Sequence, residues 1–245
     1  MLSPTWTPPD DPNPSEILNS TVDDTRTGAY ETALAKFLWF HKNAVRLEPG
    51  QSAVRVSFAL GYWLELANVF PPARDAYIQT RDETESALRA DWSNFDLFRD
   101  VAYLNRHLGD EIRTADLFAY VATRDHATAQ RLYHVAERDL IAVGRYRDCG
   151  PFLDSPRRIE LAAECYRMSR QFEESSPQRK VPIPKLARKQ YMQNVATLVA
   201  LLALNDRKVE AHQTREDAYR VLDDDDFRAI MDAAMTGHLP DRRLR

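Results

Sequence analysis

Apolar side chains return every three or four residues along most of this chain, which is the periodicity of helices buried on one side. The first clear run covers residues 30–45 and stops at Pro49-Gly50. The same spacing predicts a single continuous helix over residues 51–68. Pro71 then begins its partner helix, because proline is well suited to the first helical turn.

The rest of the chain is predicted to form further helices joined by tight turns. The predicted helices cover residues 95–108, 128–143, 185–204 and 227–235, and one more starts at Ser155-Pro156. Three of them are followed by an antiparallel return segment. The return ends at 121 for the first, covers 146–153 for the second and ends at 221 for the third. Ser155 is expected to cap its helix, and the four acids Asp223–Asp226 to cap the last one. No segment carries a β-rich pattern, so the chain is predicted to be all-α.

Glycines mark several of the predicted helix boundaries. Gly28, Gly109 and Gly144 each precede a new apolar run, as expected where a helix ends in a left-handed residue. Gly61 and Ala73 are assigned a different role, since small residues allow two antiparallel helices to approach closely. No convincing helical pattern precedes Gly28.

Composition divides the chain into four segments. Residues 1–15 are rich in Pro and Asp and are predicted to form an extended arm, with Trp6 docked on the body of the protein. Residues 16–174 are expected to form helical hairpins. The prolines within 175–184 predict a loop. Residues 185–245 are expected to add C-terminal helices packed on the same array.

Charge and cysteine content narrow the choice of functional classes. The 33 Lys and Arg against 37 Asp and Glu give a net charge of −4, which disfavours a dedicated nucleic-acid-binding protein. No apolar run reaches the roughly 18 residues of a membrane span, and the start lacks a signal-peptide pattern. Cys149 and Cys165 are expected to be free, small apolar side chains. A cytoplasmic protein without membrane partners is the resulting expectation.

Residues 57–77 carry the most distinctive spacing of the chain. Large, small and aromatic residues follow one another there in a fixed order, at Leu60, Gly61, Leu64, Phe70, Ala73 and Tyr77. The pattern resembles the tetratricopeptide repeat, a pair of antiparallel helices of about 34 residues. The resemblance extends over most of residues 28–222. It implies a right-handed α-hairpin solenoid, and an irregular helical bundle is the alternative fold.

The resemblance also implies a binding groove, because the first helix of each tetratricopeptide repeat lines the concave surface. The matching positions are Arg55, Phe58, Tyr62 and Glu65 in one hairpin and Asp96, Arg99, Tyr103 and Arg106 in the next. Spacing alone places Arg99, Tyr103 and Arg106 on one helix stripe, suited to acidic side chains or a peptide carboxylate. The alternative is a solvated face whose arginines pair with neighbouring acids.

Motifs of the common enzyme classes are absent from the sequence, including zinc-protease, phosphate-loop and nucleophile-elbow patterns. The main hypothesis is therefore a non-catalytic scaffold that binds a protein or peptide and carries no metal or cofactor. One alternative is an enzyme with an interhelical pocket that uses His134 and Glu137 as an acid–base pair. A second is a homo-oligomeric structural protein. Oligomeric state, and whether the N-terminal arm fills the groove, stay open.

Overall fold

A computed structural model describes residues 6–175 and 183–241 of the chain. Over these residues it contains helices and turns and no β-strand, which confirms the all-α prediction. The chain forms two compact units, Met1–Val143 and Gly144–Arg245. None of the helices in the described ranges has the length and apolar character needed to cross a membrane.

Eight helices make up the described part of the N-terminal unit. They are α1 (Pro14–Thr27), α2 (Tyr30–Leu47), α3 (Ser52–Arg55), α4 (Phe58–Val69), α5 (Pro71–Ala90), α6 (Phe95–Leu108), α7 (Glu111–Ala122) and α8 (His126–Ala142). The predicted pair over 95–121 is confirmed, with Gly109 ending α6 in the left-handed conformation at φ 72°.

Helix α1 was not expected from the apolar pattern. Asn13 caps it by accepting a hydrogen bond from the Glu16 amide at 3.2 Å, and Pro14 occupies its first turn. The helix ends at Gly28, whose φ is 85°. Only a short stripe including Ile17 and Leu18 is buried, so the periodic signal was too weak for detection. The capping residues were the stronger signal.

The predicted continuous helix over 51–68 is wrong. A 3-10 turn at Pro49–Gln51 leads into the four-residue α3, and the helical path breaks at Val56 and Ser57 before α4 begins. Ser57 has φ −125° and ψ −91°, well outside the helical region. Its hydroxyl donates to the Ala53 carbonyl at 2.6 Å, a local bond that competes with helix formation.

Gly61 lacks the close backbone approach predicted for it. A Cβ added at Gly61 would meet no heavy atom within 4 Å, so no neighbouring backbone requires glycine there. Ala73 is fully buried, and its carbonyl accepts a hydrogen bond from the Trp63 indole at 3.0 Å. Trp63, which stacks on Phe37, therefore joins α4 to α5 and α2.

Packing within the N-terminal unit follows the order of the chain. Helices α2, α4, α6 and α8 contact one another in that sequence, and α5 and α7 each contact the helices before and after them. Trp6 docks on the body of the protein as expected, with its ring meeting Trp39 edge-on at 6.1 Å. Residues 1–5 lie outside the described residues, and α1 already begins at Pro14.

The C-terminal unit is organised around one apolar helix. Its described helices are α9 (Tyr146–Cys149), α10 (Ser155–Ser175), α11 (Ile183–Leu204), α12 (Lys208–Tyr219) and α13 (Asp225–Met235). Each of the other four contacts α11. The predicted return over 146–153 is reduced to α9 and a 3-10 turn, and it lies in the C-terminal unit.

Helix caps in this unit confirm one prediction and correct another. Asp224 caps α13 by accepting from the Phe227 amide at 3.0 Å, as expected for the acidic run. At α10 the cap is Asp154, which accepts from the Arg157 amide at 3.2 Å, whereas the Ser155 hydroxyl contacts Glu210 instead. Residues 176–182, the centre of the predicted proline loop, lie outside the described residues.

Candidate binding face

The solvent side of α4 carries an apolar stripe. Phe58 and Val69 are 66% and 56% exposed, and Tyr62 and Glu65 lie between them at helical spacing. Tyr62 and Glu65 were both predicted as partner-binding residues. Val69 was missed, although its spacing from Tyr62 and Glu65 continues the stripe by one turn.

The neighbouring helix α6 contributes Tyr103 and Arg99. Tyr103 and Tyr62 are both half-buried and border the same core cluster, and α4 contacts α6 directly. The Arg106 guanidinium lies 4.8 Å from the centre of the Tyr103 ring, which fixes the ring in place. We define the α4–α6 face as the solvent-reaching set Phe58, Tyr62, Glu65, Val69, Arg99 and Tyr103.

Arg55, another predicted binding residue, is buried. Its Nη2 donates to Asp100 Oδ2 at 2.6 Å, and the same carboxylate lies 3.5 Å from Arg99 Nη2 through its other oxygen. Arg99 also pairs with the exposed Asp96 at 3.1 Å. The Nε groups of Arg55 and Arg99 are buried and donate no hydrogen bond within the described chain. Asp100 therefore joins α3 to α6 and compensates both cations.

Arg106 is held in the same way by α8. Its Nε and Nη2 donate to the two oxygens of Asp139 at 2.9 and 2.8 Å, and Nη2 also donates to the Val135 carbonyl. The Asp139 side chain has no exposed surface. Burial raises the pKa of Asp139, and the Arg106 guanidinium opposes that rise. Arg106 thus ties α6 to α8 rather than presenting a free charge.

Of the eight predicted groove positions, six reach the surface, namely Phe58, Tyr62, Glu65, Asp96, Arg99 and Tyr103. Arg55 and Arg106 are held in ion pairs, with only 11% of each side chain exposed. Asp100 and Asp139, which hold these arginines, were missed. Both acids occupy positions that the helical period assigns to the core, with Val101 and Leu140 as buried neighbours. An acid at a core position is a signal of a buried cation partner.

His41 is the most strongly perturbed histidine near this region. Burial, with a smaller contribution from the Arg55 charge, lowers its pKa to about 4. Its ring packs edge-on against Trp63 at 6.1 Å, and Nδ1 is buried without a hydrogen-bond partner. His41 therefore stays neutral near pH 7, and it lies beside Arg55.

The two members of the alternative acid–base pair on α8 differ in exposure. His134 lies on the exposed side of α8, where its ring stacks on Phe95 at 5.3 Å. Glu137 lies on the buried side of the same helix. Among the described residues there is no group of three or more His, Cys, Asp and Glu side chains arranged to hold a metal ion.

Comparisons with known proteins add no further assignment. No protein-family model, no curated protein and no solved structure matches this chain. The candidate site therefore depends on the geometry of the chain's own residues.

Proposed function

We propose that this protein is a non-catalytic helical scaffold that binds a protein or peptide on the α4–α6 face. The observation that carries the proposal is the α4 stripe, which leaves Phe58 and Val69 largely exposed on a helix fixed from its other side by Trp63. Large apolar residues on a rigid, well-packed element are typical of interaction sites.

The order of helix contacts supports a tetratricopeptide-like fold for the N-terminal unit. Helices α2, α4, α6 and α8 contact in series, and α5 and α7 each contact the helices on either side in sequence. A right-handed α-hairpin solenoid is the architecture we propose for this unit, and it offers one surface made by successive first helices. Cys149 and Cys165 form no disulfide within the described chain, in keeping with a cytoplasmic place of action.

The partner is proposed to present apolar side chains. Arg55, Arg99 and Arg106 each have a carboxylate of this chain beside them, so an acidic group of the partner must displace one of these acids before it gains a cation. Arg99 is the accessible exception, because it pairs with the exposed Asp96. A partner carboxylate, if present, is expected to contact Arg99.

Selection of peptides from a random display library on the immobilised protein tests the proposal. Selected peptides should lose at least about fivefold in affinity with the double variant Phe58→Ser, Val69→Ser, because the stripe supplies the apolar contact area. Leu161→Ser in α10 is the matched control, since Leu161 is 57% exposed and lies in the other unit. Circular dichroism should show equal helix content in all three proteins.

Two outcomes would contradict the proposal. Peptides that bind the double variant as tightly as the native protein would place the site elsewhere. A concentration-dependent dimer in light scattering that the double variant abolishes would instead assign the stripe to self-association, the homo-oligomer alternative.

A further inference from the structure

A separate cavity lies within the C-terminal unit, between α11, α13 and the segment that follows α13. Its volume is about 550 Å³, within the range of about 300–1,000 Å³ typical of small-molecule sites. Met192 on α11, Ile230 on α13, and Leu239 and Pro240 beyond α13 give it apolar walls. Met192 is buried, whereas the other three are partly accessible. An apolar chain of modest length would be removed from water here.

The wall formed by residues 238–241 is held in place by specific contacts. Gly237 turns the chain after α13 with φ 87°, and a Cβ at that position would lie 3.0 Å from the Leu204 side chain. The His238 amide donates to the Ala233 carbonyl at 3.1 Å, and Gln193 Nε2 donates to the Asp241 carbonyl at 3.0 Å. The cavity is therefore bounded by a fixed segment on one side and two packed helices on the others.

Arg188 and Lys189 both line the cavity, and they differ in whether an acid of this chain compensates their charge. Arg188 donates to both oxygens of Asp224 at 2.8–3.1 Å and to Asp226, so its charge is compensated. Lys189 is half-buried and makes no ion pair within the described chain. Asp241 lines the same cavity and is engaged in an interaction of its own. Lys189 is thus the cation most available to a guest.

We propose that this cavity binds a small amphipathic organic acid, with its alkyl chain against Met192, Ile230 and Leu239 and its carboxylate beside Lys189. A lysine next to an apolar wall favours this chemistry, because the ammonium gains a charged hydrogen-bond acceptor while the alkyl chain leaves water. The site lies in the other unit from the α4–α6 face, so it stands independently of the proposed scaffold function.

Methionine-methyl NMR gives a local test of binding. The chain has five methionines, of which Met192 lines the cavity and Met168, 69% exposed on α10, is an internal control for nonspecific binding. The intact protein, labelled at its methionine methyl groups, is titrated with octanoate, octanol and acetate. We expect a saturable submillimolar shift of the Met192 signal with octanoate, a weaker response with octanol and none with acetate.

Two variants separate the charged and the apolar contributions. Lys189→Gln should weaken octanoate binding about five- to tenfold and leave octanol binding unchanged, because only the charged hydrogen bond is lost. Ala233→Phe should abolish binding of both probes by filling the cavity, since Ala233 lines it. Lys208→Gln, an exposed lysine on α12, is the matched control and should bind octanoate normally.

The proposal is overturned by any of three results. These are no Met192 shift at millimolar octanoate, equal shifts at Met168 and Met192, or equal octanoate affinity in native protein and Lys189→Gln. The first shows a closed or filled cavity, the second shows nonspecific adsorption, and the third shows that the lysine does not recognise the acid.

Discussion

The two units of this chain differ in the side chains that hold their helices together. In the N-terminal unit, buried ion pairs connect helices, with Arg55–Asp100 joining α3 to α6 and Arg106–Asp139 joining α6 to α8. In the C-terminal unit every residue from Val195 to Leu202 on α11 is buried, and the surrounding helices pack on that apolar segment. The N-terminal unit adds buried ion pairs to its apolar core, whereas the centre of the C-terminal unit is a continuous buried segment of one helix.

The difference has a physical consequence for specificity. A hydrophobic contact tolerates small shifts of one helix along another, whereas a bidentate Arg–carboxylate pair is satisfied in a narrow range of geometries. A buried pair adds little net stability, because desolvation offsets most of the attraction between the charges. We infer that Asp100 and Asp139 fix the register of α3, α6 and α8, and thereby the position of Tyr103 on the α4–α6 face.

The largest expected effect comes from breaking one buried pair. Asp139→Ala leaves the Arg106 guanidinium buried and unpaired, and should reduce the free energy of unfolding of the N-terminal unit by about 3–5 kcal/mol. Hydrogen exchange of peptides from α6 and α8 measures the change locally. Asp226→Ala is the control, because Asp226 is 78% exposed in its pair with Arg188 and should change stability by less than about 1 kcal/mol. Equal losses of stability in Asp139→Ala and Asp226→Ala would show that the ion pair between α6 and α8 matters no more than an exposed pair of the C-terminal unit.

The next largest loss of stability is expected from shortening a buried side chain at the centre of α11, in the C-terminal unit. Leu201 is fully buried on α11, and Leu201→Ala is expected to reduce the stability of the C-terminal unit by about 3 kcal/mol through lost burial and an unfilled cavity. Exchange of amides in α11–α13 reports the loss. Leu186→Ala, at a residue that is 44% exposed on the same helix, should have a small effect. A small effect at Leu201 would show that α11 is not the stabilising centre.

Acidification should weaken the N-terminal unit through His41. Its pKa is lowered to about 4 by burial, so between pH 6.5 and 4 the unfolded chain binds a proton that the folded chain does not. Stability is therefore complete above pH 6.5 and falls as the pH falls, with His41 contributing about 2 kcal/mol between pH 7 and 5. His41→Phe should flatten this part of the pH profile, measured by denaturant unfolding.

The smallest expected loss of stability concerns the side-chain caps at helix N-termini, which both units contain. Asn94 caps α6 by accepting from the Leu97 amide at 3.1 Å, and Asp224 caps α13 in the same way. Asn94→Ala should destabilise the N-terminal unit by about 1 kcal/mol, as measured by thermal unfolding and local exchange. Asp224→Ala should cost somewhat more in its own unit, because it removes both the cap and the partner of Arg188. A loss at Asn94 as large as that at Asp224 would show that the Asn94 side chain has a second structural role. Ser155→Ala, which removes no cap, is the control.

Prediction from the sequence succeeded where the signal was local. The helices over 95–121 and 185–204, the left-handed Gly109 and the acidic cap at Asp224 all followed from spacing and capping chemistry. It failed where a local break changed the path of the chain. The break at Val56 and Ser57 depends on backbone angles that a helical apolar pattern does not reveal.

The candidate site could be predicted only in part, for a similar reason. Helical spacing was enough to place Tyr62 and Glu65 on the solvent side of α4. The same spacing grouped Arg99, Tyr103 and Arg106 but could not show that Asp139, thirty-three positions along the chain from Arg106, would bind that arginine. Which arginines are free depends on contacts between distant segments, and these have no periodic signature.

Local order in this protein, namely helix type, most helix ends and the apolar side of each helix, follows from the residues themselves, because capping and amphipathicity act within one or two turns. The partners of the buried charges, the division into two units and the cavity beside Lys189 exist only in the folded chain. They arise when helices far apart in sequence meet and exclude water, and the energies of burial and ion pairing then depend on the complete surroundings of each side chain.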